Sequence, residues 1–396
     1  MNPFARPRPL STYVESLVAI FVLVFTLPLT PLAGANDHKY LVYIGTYTES
    51  GSKGIYAYRF DAGTGEINSL GLTAETEDPA FLAADVSGRF LYAANEINQF
   101  EGEKSGSVSA FSIDRNTGKL TLLNRVSSMG GMPAHVSLDK TGRYLLVANY
   151  GGGSVAAFPV QNDGRLGKAS SFVQHAGFSV NHERQTAPHP HQVITSKDDR
   201  FVFVPDLGLD EVLIYRFDAA NGSLTPNDPP FARTDPGAGP RHFALHPSGR
   251  FAYAVNELQS TVSVFSYDAK AGGLHSIQTL TTLPKDFNGH NSTAEILTDA
   301  KGGFLYLSNR GNDSIAVFAI DSKNGTLSPV QNIPSGGKTP RNFAIDPTGL
   351  WLFVANQESN TIALFRVDSR TGRLSSTQTV VQVGAPACVV LVADVR

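Results

Sequence analysis

The segment GPRHFALHPSGRFAYAVNELQSTVSVFSYD, Gly239 to Asp268, puts Arg241 and His242 at the start of one apolar-alternating run. Glu257 stands at the end of the next run, sixteen residues after Arg241 (241 to 257). A guanidinium can hold an anionic oxygen and polarise a carbonyl, and an imidazole or a carboxylate can move a proton. The same residue types recur elsewhere as His135, His189, His191, Glu295, Arg310 and Arg341, with Asn149, Asn256 and Asn309 at matching places. Nucleophilic and metal chemistry are poorly represented. Ser154 in GGGSVAAF lacks the following glycine of a nucleophile elbow. No H-E-x-x-H occurs, and the histidines of HPH, His189 and His191, have no carboxylate spaced to join them on a metal. Neither a metal nor another cofactor is expected.

What positions these residues is a repeat. DVSGRFLYAANE from Asp85, DKTGRYLLVANY from Asp139, SKDDRFVFVPDL from Ser196, HPSGRFAYAVNE from His246, DAKGGFLYLSNR from Asp299 and DPTGLWLFVANQ from Asp346 are copies of one pattern. They are spaced about 47 to 57 residues apart, and runs such as STVSVFSYD and turns such as NTGKL follow them. Several short strands at that spacing predict an all-β fold, a β-propeller of four-stranded blades. The copy beginning LVYIGTYTES at Leu41 lacks a first strand, and APACVVLVAD near the C-terminus is a first strand with nothing after it. Joined, they make a seventh blade that closes the ring and leaves no long sheet edge open.

Each blade's first strand opens at a marker: Pro79, Pro133, Pro190, Pro240, Thr293, Pro340 and Pro386. Its second strand ends at Asn95, Asn149, Asp206, Asn256, Asn309 and Asn356, each sixteen residues later (79 to 95, 133 to 149 and so on), with Thr46 completing the N-terminal copy. Antiparallel neighbours bring the start of one strand beside the end of the next. All these markers must therefore share one mouth of the central channel. The residues following the first markers are Ala80, Ala134, His191, Arg241, Ala294, Arg341 and Ala387, and those following the second include Glu96, Tyr150, Glu257 and Arg310. A scaffold could repeat one choice at these equivalent places. Here they differ from blade to blade and several ionise, which suits a small, oxygen-rich, anionic ligand. A plain Arg–Glu ion pair and turn-satisfying asparagines are the structural alternative.

The bulk composition narrows the partners. The chain has 396 residues, a formal net charge of −3 and no long run of either sign, which argues against a nucleic-acid surface. One cysteine, Cys388, excludes an internal disulfide framework and a cysteine-based metal cluster. Arg6 and Arg8 precede an apolar stretch, and Ala33 and Ala35 fit a small-x-small cleavage site before Asn36. Residues 1–35 read as a secretory signal peptide and 36–396 as the propeller, exported to the periplasm or beyond. Pro28 and Pro31 break the apolar stretch, so no stable membrane span is expected. The oligomeric state is not encoded in any feature of the chain.

The stretches GPRHFALHPSGRFAYAVNELQSTVSVF, AEILTDAKGGFLYLSNRGNDSIAVFAID and TPRNFAIDPTGLWLFVANQESNTIALFRVD, with YIGTYT and HPHQV, resemble the seven-bladed propeller lactonases. That family contains the cycloisomerase-type 6-phosphogluconolactonases and the carboxymuconate lactonising enzymes. The resemblance spans the chain after residue 35 and implies a lactone substrate, no cofactor, and a catalytic set of His191, Arg241, Glu257 and Arg310. His135, Asn149, His189, His242, Asn256, Glu295, Asn309 and Arg341 would surround the substrate. With no Ser or Cys nucleophile indicated, water attack is expected, with His191 or Glu257 as the base. The reverse-type reaction, lactone formation by addition of a carboxylate, uses the same groups. The family's phosphogluconate enzymes work in the cytoplasm, so the leader leaves open whether the sugar is phosphorylated. An exported binding propeller without catalysis would show similar strands but needs no uneven mouth. A quinone-dependent propeller would bring many tryptophans, and this chain has only Trp351.

Overall fold

The computed structural model describes residues 38–48 and 51–394; the leader expected in residues 1–35 lies outside them. They form twenty-eight strands, β1 (Lys39–Thr46) to β28 (Pro386–Ala393), in seven four-stranded antiparallel sheets. Six sheets follow chain order. The seventh is built as β28–β1–β2–β3, with β2 at Gly54–Asp61 and β3 at Glu66–Glu75. There Tyr40 pairs with Ala393 and Thr46 with Pro386, so the C-terminal strand supplies the inner edge that the N-terminal copy lacks.

The other inner strands are β4 (Pro79–Ala84), β8 (Pro133–Leu138), β12 (Ile194–Thr195), β16 (Pro240–Leu245), β20 (Ser292–Thr298) and β24 (Pro340–Ile345). They pack side by side around the axis, and β24 meets β28 to close the ring. The second strands lie between two neighbouring sheets and are buried on both faces. In Tyr144–Asn149 (β9) and Phe251–Asn256 (β17) every residue is buried, hence their continuous rather than alternating apolar character. Seven apolar clusters fill the seven gaps between blades. The gap that joins the chain ends, for example, packs Tyr40, Ile44 and Phe60 against Trp351, Phe353 and Ile362.

A polar latch repeats around the ring. The hydroxyls of Tyr43, Tyr92, Tyr253 and Tyr306 donate to the carbonyls of Gly118, Gly164, Gly325 and Gly372, each in the outer turn of the following blade. Trp351 Nε1 donates likewise to Ala62 O, from the last blade to the first. At that junction Gly65 has φ of 85°, and a Cβ there would fall 2.0 Å from the Trp351 ring, so both conformation and space require glycine.

The markers pair as their spacing requires: Pro79 with Asn95, Pro133 with Asn149, Pro240 with Asn256, Thr293 with Asn309 and Pro340 with Asn356. The fourth blade is the exception. Pro190 bridges Asp206, but the regular ladder resumes only at Ile194, leaving an inner strand of two residues. Here the His189 amide turns to a side chain, Asp206 Oδ1, instead of a ladder carbonyl.

Tyr306→Phe removes one buried hydroxyl-to-carbonyl bond and should lower stability by about 1 kcal/mol. Tyr43→Phe, on a distant blade, should add to it independently. Chemical denaturation of the two single variants and the double variant checks both the size and the additivity.

Candidate active site

Just after each marker the ladder slips. Ala80, Ala134, Arg241 and Arg341 are skipped between Pro79 and Phe81, Pro133 and His135, Pro240 and His242, and Pro340 and Asn342. Such a bulge re-aims a side chain. The result is a narrow chamber, a cleft with free space for about one water, lined by Ala80, Ala134, His191, Arg241, Arg341 and Ala387, with Phe81, Glu96, His242 and Asn342. Six of the seven equivalent positions thus converge on one space. Glu96 also borders an open vestibule lined by Tyr47, Glu77, Asp78, Asn98, Met132 and Gln357.

Two residues past the slip a backbone amide turns to a side chain of the neighbouring blade. Gln192 Oε1 accepts from Phe243 N at 2.6 Å and Asn342 Oδ1 from Val389 N at 3.0 Å. Further links join adjacent inner strands around the axis. His135 packs on Phe81 with ring centroids 4.1 Å apart, and His242 Nδ1 lies 2.8 Å from Glu295 Oε1. Glu295 Oε2 in turn accepts from Asn342 Nδ2 at 2.5 Å. This layer floors the chamber. His135, Glu295 and Asn342 are committed to it, while His242 Nε2 has no hydrogen-bond partner among the described residues.

Glu257 organises the cationic wall. Its Oε1 accepts from Arg184 Nη2 at 2.7 Å and its Oε2 from Arg310 Nη2 at 2.8 Å. Arg241 Nε is 3.1 Å from Oε2 but off the hydrogen-bond line, so that contact is charge pairing without a directed bond. Backbone carbonyls hold the arginines from behind: Arg241 Nη1 donates to Ala294 O and Arg310 Nη2 to Thr293 O. Burial alone would raise the Glu257 carboxyl. Arg310, Arg241 and Arg184 override it and bring it down to about 2. Burial, with Arg310 and Arg341 nearby, lowers Arg241 to about 9, still protonated at neutral pH.

Opposite, Arg341 lies over the Tyr47 ring, 5.1 Å from its centroid, and 3.8 Å from Glu96 Oε2. Tyr47 donates to the same Glu96 oxygen at 2.5 Å. His191 is 6% exposed, and its Nδ1 has no hydrogen-bond partner among the described residues. Burial holds its imidazole well below the usual value, and Arg241 and His242 push the same way. It is therefore neutral at pH 7. Cys388 is no rival nucleophile, since burial raises its thiol to about 12.

The structure brings His191, Arg241, Arg341 and His242 to the chamber, with Glu257 and Arg310 joined to Arg241 through the ion-pair cluster. His189 stacks on Tyr150 at 4.6 Å and flanks rather than lines it. Asn149, Asn256 and Asn309 are elsewhere in use. Their amides donate to Ser128 O and Thr282 O, in the segments that lead in from the preceding blades, and to the Thr261 and Ser263 hydroxyls of the same blade. Arg184 is the functional residue that sequence reading passed over. It sits in the aperiodic loop after β11 (Ser171–Gln174), in no repeat position, and reaches Glu257 only through the fold.

The family model for "Lactonase, 7-bladed beta-propeller" matches residues 41–391. The chain belongs to that family. It is 38% identical over 309 residues to a Bacillus subtilis 6-phosphogluconolactonase, covering 78% of this chain and 85% of that one. A Formosa agariphila protein of the same name is 34% identical over 309 residues, covering 77% and 86%. Among solved structures, a periplasmic gluconolactonase from Pseudomonas aeruginosa superposes with a TM-score of 0.84 at 37% identity, covering 90% of this chain and 99% of that one. This propeller lactonase thus shares with those proteins a fold that the repeat had already implied.

Glu257 ionises below its ordinary value of 4.5 in the folded state. Its charge therefore stabilises the fold fully above about pH 4.5, and that contribution is lost as pH falls toward 2. Glu257→Gln should unfold at lower temperature than the wild type at pH 7, because three guanidinium groups lose their shared anion. The gap should close progressively between pH 5 and 2 in paired thermal melts.

Proposed function

We propose that this protein hydrolyses a sugar lactone by direct attack of water in the chamber. One observation carries the reading: a buried imidazole, its Nδ1 without a hydrogen-bond partner among the described residues, lines the same narrow space as two guanidinium groups. His191 takes a proton from water as the hydroxide oxygen bonds to the lactone carbonyl carbon. The carbonyl π pair moves to oxygen, and Arg241 and Arg341 stabilise that oxyanion. Collapse breaks the ring C–O bond, and the imidazolium returns its proton to the leaving alkoxide. The burial that keeps His191 unprotonated, reinforced by the arginine field, also makes it a weak base. Charge developing on the oxyanion offsets that field and raises the imidazole's proton affinity in step with attack. Glu257, held at about 2, is too weak a base for this step; it fixes Arg241 and Arg310, while Arg310 and His242 border the substrate.

The names of the relatives support an aldonolactone as the substrate class. The vestibule favours the unphosphorylated form, because Glu77 and Asp78 line it, while its third carboxylate, Glu96, is matched by Arg341. With the ester carbonyl in the chamber, the far end of the sugar projects toward those carboxylates, where a phosphate dianion is repelled. The leader-like residues 1–35 support the same view, a reaction outside the cytoplasm. Among the described residues no helix is long and apolar enough to cross a membrane.

Proton release from glucono-δ-lactone tests the reaction. His191→Ala should lower kcat by about 10²- to 10⁴-fold with the thermal midpoint retained. Wild-type kcat should stay flat from pH 8 down through 6.5, because the base is already deprotonated there. A fall centred near pH 6.5, or an unaffected His191→Ala, would remove His191 from the role. For specificity, kcat/KM for glucono-δ-lactone should exceed that for its 6-phosphate. The opposite order would overturn the vestibule argument while leaving the hydrolytic mechanism in place.

A further inference from the structure

Where five blades end their second strand with asparagine, the fourth has Asp206. In the asparagine blades the amide is a donor, as from Asn149 Nδ2 to Ser128 O and from Asn356 Nδ2 to Ser335 O. Asp206 can only accept. Its Oδ1 receives the His189 amide at 2.6 Å and the Gly208 amide at 3.0 Å. Its Oδ2 lies 2.7 Å from His175 Nδ1, and His175 Nε2 lies 3.0 Å from the Tyr215 hydroxyl. All three side chains are buried, Asp206 completely. The arrangement that satisfies every proton has Tyr215 donating to Nε2 and Nδ1–H donating to the carboxylate.

A buried carboxylate is costly unless it is fully bonded, and here the bonds lead to the active site. Asp206 holds the amide two residues before His191. The same strand end also fixes the segment through the backbone, since His191 N donates to Pro205 O and Leu207 N to His189 O. This is the stretch where the inner strand leaves its ladder. The chain from His189 to Val193 is thus hung from the end of β13 (Phe201–Asp206) by two backbone bonds and by the Asp206 side chain, with no regular ladder until Ile194. His189 and Tyr150, stacked beside it, border the His191 ring at 5.5 Å from Tyr150.

We propose that Asp206 is a positioning residue for His191, and that His175 and Tyr215 fix Asp206 in turn, crossing from the third blade to the fourth. The departure from the repeat is then a device that aims one imidazole into the chamber. The proposal rests on His191 taking part in the reaction.

Asp206→Asn installs the residue the other blades use, so the strand end keeps a side chain of the same shape. It should lower kcat on glucono-δ-lactone about tenfold, in the range of lost support for an active group, with KM changed less than about twofold. The deciding readout is a double-mutant cycle with His191→Ala. In that background Asp206→Asn should alter the residual rate less than about twofold, because no imidazole is left to aim. The same fractional loss in both backgrounds, or an unchanged kcat in the single variant, overturns the proposal. Should Asp206→Asn fail to fold, His175→Gln, which keeps a donor for Oδ2 but removes the ring, enters the same cycle with the same two readings. An active His191→Ala would instead refute the hydrolytic role itself, so the two failures are distinguishable.

Discussion

One carboxylate gathers the mouth of this propeller. Glu257 draws Arg184 from a surface loop, Arg241 from an inner strand and Arg310 from the end of a second strand onto two oxygens. Arg241 and Arg310 could not be buried here unpaired at tolerable cost, while Arg184 stays partly exposed. Three positive charges on one negative leave a surplus, however, and the surplus gives the site its character. It adds to the burial that keeps His191 neutral, and it keeps Glu257 ionised.

The fold delivers these groups through a repeated slip of the sheet. Placing a bulge just inside each inner strand turns one side chain per blade toward the axis. Two residues further on, neighbouring blades bond backbone amides with side chains of the layer below. Chamber and floor meet at the same local irregularity. The blades can therefore vary the inward residue freely, alanine in four of them and His or Arg in three, without disturbing the ring. The Tyr–Gly latches and apolar clusters far from the axis carry the closure instead.

Most of this architecture could be read from the chain because strand pairing is antiparallel and the marker spacing is constant. A fixed separation of sixteen residues sufficed to put Arg241, Arg341 and His191 at one end of one channel. The partners of Glu257 were less accessible, since Arg184 is brought in by a loop with no period to align it. Asn149, Asn256 and Asn309 stand at the strand end where mouth-facing and blade-facing side chains look alike in sequence. Their hydrogen bonds commit them to the strands and connecting segments at the blade ends. Whether Glu257 is base or anchor also depends on its neighbours: among three guanidinium groups a carboxylate gives up its proton too readily to serve as base.

The most direct test of the account is a crystal structure of the protein with a gluconolactam, a ring in which the hydrolysable ester is replaced by an amide. The account requires the lactam oxygen to point at Arg241 and Arg341, with the carbonyl carbon one water away from His191 and the hydroxymethyl end toward Glu96. A lactam bound with its carbonyl in the vestibule, or at a different face of the ring, would contradict it.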